Sequence, residues 1–215
     1  PGFLGNRVGV FALQVGIDEA INCGLSIEDA DALMGRPMGI PKTGVFGLYD
    51  LIGIDLMADV VKSLGSILPS DDAFHAVGKE SSVIALMIKN GYTGNKGNGG
   101  FYKTNPDGVL HTLQLTGHTG ENLPPYAAAK QELPELAVRA AVASAKQKEP
   151  LVQILEGNTD HAKFCRRVLG RVLSYAASLI PAVTESPQDI DDAMKLGFNW
   201  QRGPFEMMDA IGHRK

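Results

Sequence analysis

Apolar positions recur at three- and four-residue steps along most of the chain, and glycine, proline and serine cut that pattern into segments. Val8, Phe11, Leu13, Val15, Ile17, Ala20 and Ile21 predict a mostly buried helix from Arg7 to Cys23, with Gly24 as its stop. Ser26 ahead of Ile27, Glu28 and Asp29 is a serine cap with acids in the first turn, and it opens a short helix to about Met34. Gly35 to Pro41 carries too many breakers for anything but a loop. Helical spacing resumes at Val45, Phe46, Leu48, Leu51 and Ile52, pauses at Gly53, and continues through Ile54, Leu56, Met57, Val60, Val61 and Leu64. A further helix is expected from Ser82 to Asn90, stopped by Gly91.

The middle of the chain reads differently. Gly94 to Gly100 is a turn-rich loop leading into Phe101-Tyr102-Lys103, and Val109 to Leu115 is the expected partner strand across Asn105-Pro106-Asp107-Gly108. That hairpin is the one convincing β signal. Past Pro134 the helical pattern returns over Leu136 to Gln147, Leu151 to Glu156 and His161 to Val183. Strands do not alternate with helices, so no parallel sheet is expected.

The pattern also repeats. Ser26 to Met34 matches Ser186 to Met194, 160 residues later, and Arg7-Val8 falls on Arg167-Val168 at the same offset. Phe46, Asp50 and Gly53 fall on Phe205, Asp209 and Gly212, 159 residues later, so the first copy carries one extra loop residue. Each copy is a long helix, a capped short helix, a Gly/Pro loop and an apolar helix, which predicts an internal duplication. The expected fold is all-α: a first helical domain over residues 1–102, a hairpin and helical connector over 103–160, and a second, degenerate and truncated copy over 161–215. Two such units can pack about a pseudo-twofold axis like the subunits of a homodimer, leaving little reason for further self-association.

Composition narrows the partners. At 215 residues and 44% hydrophobic, the chain can form one large or two small domains with a proper core. Its 20 Lys and Arg are interspersed with 24 Asp and Glu, which argues against nucleic acid or a membrane surface as a partner. Cys23 and Cys165 sit inside apolar helical patterns without CxxC or Cys/His spacing, so no disulfide and no metal site is expected, and the compartment reads as reducing and cytoplasmic. No apolar run approaches the roughly 20 residues of a membrane span, and no signal peptide is evident, so a soluble protein is expected. The start at Pro1 without Met, and the stop just past Ile211, read as a piece of a longer protein.

Several segments together resemble a known family. Pro1-Gly2-Phe3-Leu4-Gly5-Asn6-Arg7, the Ser26–Met34 cap, Pro37-Met38-Gly39, Phe46 with Asp50 and Gly53-Ile54-Asp55, and Lys96 with Gly99-Gly100-Phe101-Tyr102 resemble the C-terminal helical domain of the 3-hydroxyacyl-CoA dehydrogenases, a 6-phosphogluconate-dehydrogenase C-terminal-like fold. Asn199-Trp200 and Gly203-Pro204-Phe205-Glu206 resemble the second copy of that domain in the multifunctional β-oxidation members. The resemblance covers residues 1 to about 102 and 162 to 212. It implies oxidation of (S)-3-hydroxyacyl-CoA to 3-oxoacyl-CoA in fatty-acid β-oxidation, with NAD held by a dinucleotide-binding domain ahead of this segment. The residues agree, because no GxGxxG follows a strand, and glycines 94, 97, 99 and 100 match neither that fingerprint nor a P-loop. No cofactor-binding residue is assigned here, and hydride transfer by this chain alone is not expected.

Oxidising a secondary alcohol requires a base for the hydroxyl proton and hydrogen-bond donors for the carbonyl that forms. In the family a His and a Glu of the cofactor domain supply the acid/base chemistry, and the resemblance makes Asn6 the catalytic residue of this domain, donating to the substrate oxygen and orienting the imidazole. The residues alone leave a second reading, Asn6 as the cap of the helix near Arg7. The matching position in the second copy is Arg166, which lacks the amide, so that copy is expected to be structural. His75, His111, His118, His161 and His213 are expected to be solvent-exposed, with His118 and Glu121 a poor scaffold for a dyad.

The resemblance places the Gly35–Gly44 loop on the cleft, which makes Met38, Val45 and Phe46 candidates for the acyl-chain path and Lys96 a candidate for a CoA phosphate. Burial in the core and simple solvation are the respective alternatives. Asp50 and Asp209 are expected to be architectural, as a helix cap or an interdomain ion pair. The implied partners are an acyl-CoA substrate, the protein's own NAD-binding domain and an adjoining enoyl-CoA hydratase domain. Two other readings stay open: a non-catalytic helical assembly module that buries Met38, Ile40 and Val45 against a protein, and the C-terminal half of another NAD(P)-dependent dehydrogenase of the 6-phosphogluconate type. The Lys96–Tyr102 segment argues against the latter by resemblance.

Overall fold

In a computed structural model, which describes residues 3–79, 81–118 and 121–212, the first apolar run folds as helix α1, Leu4–Asn22. It starts three residues ahead of the expected boundary. Phe3 takes the cap position with extended backbone and no side-chain bond, so Asn6 lies inside the first turn and does not cap the helix. The run is apolar on more than one face, and α1 is accordingly buried along nearly its whole length.

Around α1 follow α2 (Ile27–Leu33), a 3₁₀ turn at Arg36–Met38, α3 (Phe46–Ile52), α4 (Ile54–Ile67), a second 3₁₀ turn at Ala73–Ala76 and α5 (Ser82–Lys89). Ser26 caps α2 as expected, its hydroxyl accepting from the Asp29 amide at 3.3 Å. Strands β1 (Tyr102–Thr104), β2 (Leu110–Leu113) and β3 (Tyr126–Ala128) form an antiparallel sheet in that order, with Tyr102 opposite Thr112 and Leu113 opposite Tyr126. The expected hairpin is present, and the third strand extends it. Beyond the sheet come α6 (Glu135–Ala145), α7 (Pro150–Leu155), α8 (Asp160–Ser178), α9 (Pro187–Phe198) and α10 (Pro204–Gly212). α8 stops short of the expected Val183. Ser186, unlike Ser26, makes no capping bond.

The fold is therefore mostly helical with a small sheet, and α1 is its axis. Its contact with α8 is apolar in the middle, where Phe11 stacks on Tyr175 with ring centroids 4.0 Å apart. Buried ions close both ends. Arg7 pairs with Asp72, whose carboxylate also accepts from the Tyr175 hydroxyl at 3.0 Å, and Glu19 accepts from Arg167 at 3.2 Å and Arg171 at 2.6 Å. On another face, Gly5 and Gly9 let α9 approach, and a Cβ at Gly9 would fall inside the Phe198 ring. Cys23 and Cys165 are free and buried, and burial pushes the Cys165 thiol up to about 12. No helix among the described residues is long and apolar enough to cross a membrane.

Asp72→Ala strands a guanidinium whose side chain is 5% exposed and leaves Tyr175 without its acceptor. The expected loss is about 3 kcal/mol of stability, as for other broken buried pairs. Urea denaturation checks it, and a loss below about 1 kcal/mol, the value of a surface pair, would contradict it.

Candidate active site

A cavity of about 420 Å³ lies where α1, α3 and the α9–α10 turn meet. One wall is α1, which contributes Asn6, Gly9 and Leu13; facing it are Leu48, Leu51 and Ile52 of α3. The Ile40–Gly44 stretch and Phe198–Trp200 complete the lining of this open-sided cavity. Its size suits a small-molecule ligand, and its lining is largely apolar with a few polar groups, Asn6, Thr43 and Asn199. Asn6 and Leu13 are seven residues apart on one helix, so the amide and the deep end are separated by about 10 Å.

α3 has only seven residues and cannot hold itself in place. Asp31, from α2, does so. Its Oδ1 accepts from the amides of Val45 at 2.7 Å and Phe46 at 2.8 Å, and its Oδ2 accepts from the Gly47 amide and the Tyr102 hydroxyl, each at 2.9 Å. A carboxylate thus satisfies the otherwise unpaired first-turn amides and meets the positive end of the helix dipole. Burial pushes Asp31 up to about 7, opposed by those hydrogen bonds. Asp191 on α9 repeats the arrangement for α10, its oxygens accepting from Phe205 at 2.8 Å and Glu206 at 3.2 Å. Gly44 and Gly203 lie so close to Asp31 and Asp191, respectively, that a Cβ at either would overlap the acid.

Asp50 is neither a cap nor an ion pair. Both its oxygens accept, from the Phe101 and Tyr102 amides at 2.8 Å, and burial pushes it up to about 6. A Cβ at Gly100 would overlap this carboxylate. The glycine-rich loop is therefore already filled by an anion of the chain itself. Asp209 is exposed, so the two positions have different roles.

Of the expected substrate residues, Val45 and Phe46 are fully enclosed in the core, and Met38 is buried beside a separate cleft of about 280 Å³. Their neighbours Ile40 and Leu48 reach the cavity instead. Val45 packs on Gly16 of α1 and Phe46 meets Phe101 edge-on with ring centroids 4.8 Å apart, so the core occupies both side chains. Lys96 pairs with Asp55 at 2.7 Å and is half exposed. His75, His111, His118 and His161, expected to be exposed, are half-buried, and none of the four lines the cavity. His161 lies 3.4 Å from the Asp29 carboxylate. Pro1, Gly2 and His213 lie outside the described residues. Phe198 and Trp200 do line the cavity, although sequence reasoning gave them no place there. The available signal was the Gly5/Gly9 spacing, which puts two glycines on one face of a helix and permits a close neighbour.

The chain is similar to several known proteins. The family described as 3-hydroxyacyl-CoA dehydrogenase, C-terminal domain, matches residues 2–104 and 164–214. A protein of Rickettsia prowazekii described as a fatty acid oxidation complex trifunctional enzyme is 34% identical over 214 residues, covering 97% of this chain and 27% of its own. A protein of Bacillus subtilis described as a 3-hydroxyacyl-CoA dehydrogenase is 29% identical, covering 99% of this chain and 26% of its own. The chain thus spans about a quarter of the length of these relatives. The crystal structure of 3-hydroxybutyryl-CoA dehydrogenase from Escherichia coli K12 superposes with a TM-score of 0.52 at 20% identity, covering 99% of this chain and 56% of that one, a likeness of fold.

Removing the buried acids should have graded effects. Asp31→Ala leaves three amides and a tyrosine hydroxyl without an acceptor and should cost about 3 kcal/mol, whereas Asp191→Ala leaves two amides and should cost about half as much. Urea midpoints of the two variants test the order, and equal losses would refute it.

Proposed function

The chain belongs to the 3-hydroxyacyl-CoA dehydrogenase C-terminal-domain family, and on that premise we propose that it is the substrate-side part of an NAD-dependent enzyme oxidising (S)-3-hydroxyacyl-CoA to 3-oxoacyl-CoA in fatty-acid β-oxidation. The observation that carries the reading is the Asn6 amide in the wall of a largely apolar cavity. An amide N–H there can donate to the substrate's C3 oxygen and stabilise it as it becomes a carbonyl, while the cavity receives the acyl chain. Ile40 and Leu48 line that path, with Met38, Val45 and Phe46 supporting it from the core. A CoA phosphate near Lys96 would compete with Asp55 for its charge.

The residues present do not fit NAD. The sheet is antiparallel, and the glycine-rich loop that might cradle a phosphate holds Asp50. The reading therefore assigns the cofactor, and the acid/base groups, to a separate NAD-binding domain that closes over Leu51 and Ile52, which line the cavity yet are 62% and 36% exposed. An adjoining enoyl-CoA hydratase domain is the further partner, and the cytoplasm the location. We read residues 1–102 and 161–215 as two copies of one helical unit with 103–160 between them, supported by the matched acid-to-amide bonds of Asp31 and Asp191.

NADH consumption with acetoacetyl-CoA tests the reading, using this chain alone and a protein that carries a preceding cofactor domain of the family. Activity is expected only in the longer protein, and Asn6→Ala should lower its kcat about 100-fold. Activity in neither would favour an assembly module, and full activity in Asn6→Ala would remove the catalytic assignment.

A further inference from the structure

We propose that Phe198, from the far end of the chain, is the residue that sets how long an acyl chain the cavity accepts. The inference rests on the dehydrogenase reading and adds the specificity-determining residue. Gly9 lies three residues beyond Asn6, on the same side of α1 and about one helical turn deeper. The Phe198 ring sits directly on Gly9, in the space a side chain there would fill, and it also lines the cavity. A chain whose C3 oxygen meets Asn6 and whose tail follows α1 therefore reaches this ring before the deeper apolar surface of Ala12, Leu13 and Met34.

The turn that follows the ring is held in place. Asn199 ends α9 in the left-handed conformation, at φ 54°, and Trp200 is 7% exposed. The Gln201 amide donates to the Gly39 carbonyl at 2.8 Å, fastening the turn to the loop on the other side of the cavity. Phe198 itself is only half-buried, with its ring between the helix backbone and the open space. A short acyl chain ends at the ring, and a long one must displace it.

The test compares kcat/KM for 3-hydroxydodecanoyl-CoA and 3-hydroxybutyryl-CoA in the full-length enzyme and in its Phe198→Ala and Phe198→Leu variants. The ratio of long to short is expected to rise about tenfold in Phe198→Ala, and less in Phe198→Leu, which keeps most of the packing on α1. A ratio that stays at the parent value in both variants, or an equal loss at both chain lengths, overturns the proposal and leaves the dehydrogenase reading standing. A parent enzyme that turns over neither substrate overturns that reading and this inference with it.

Discussion

The cavity depends on one buried carboxylate. α3 is too short to persist alone, and the amides at its start, those of Val45, Phe46 and Gly47, have no acceptor within the helix. Asp31 meets three of them and takes the Tyr102 hydroxyl as well, so one side chain of α2 fixes both the α3 wall and the edge of the sheet. Asp50 works from within α3, reaching out to the Phe101 and Tyr102 amides. Between them the two acids suspend α3 from its neighbours. Each is pushed well above the ordinary carboxylate range by burial, and each offsets that cost by pairing donors that would otherwise be stranded.

A second constraint comes from α1. A helix buried on nearly every side must find a different partner for each face, and its sequence provides them. Charged residues at its two ends, Arg7 and Glu19, bond to Asp72 and to the arginines of α8, while Gly5 and Gly9 admit α9. Because α9 follows α8 in the chain, the residues that close the cavity arrive from positions 198–200, although the amide they enclose is at position 6. The two ends of the chain are thus not independent modules placed side by side. One cavity is built from both.

Much of this was legible in the sequence, and the limits of legibility are physical. Periodicity gave the helices, the Ser26 cap and the break at Gly53, since those signals are local. The hairpin was legible through its turn, but β3 is three residues without alternation and takes its place only by pairing with β2. Val45 and Phe46 read as loop-to-helix residues facing a cleft. Their enclosure follows from Gly16 of α1 and from Phe101, residues far from them in the chain, and no local pattern records those contacts. Asp50 was legible as architectural but not its role, because its partners lie fifty-one and fifty-two residues away. Asn6 was placed by resemblance; the structure adds that it lies within the helix and in the cavity wall.

What the starts of α3 and α10 share, and what Asn6 and Arg166 do not, follows from what each position must do. The capping acid and the tight glycine occur in both, because a helix start packed against its neighbour needs its amides paired wherever it occurs. The amide of Asn6 does not recur. Arg166, 160 residues further along, donates to the carbonyls of Leu155 at 2.9 Å and Gly157 at 2.6 Å, tying α8 to the end of α7. An asparagine is too short to span that gap, and an arginine in the wall beside α3 would bring an unpaired charge into a largely apolar cavity. The α9–α10 turn contributes shape, through Phe198 and Trp200, and α1 contributes the polar residue Asn6.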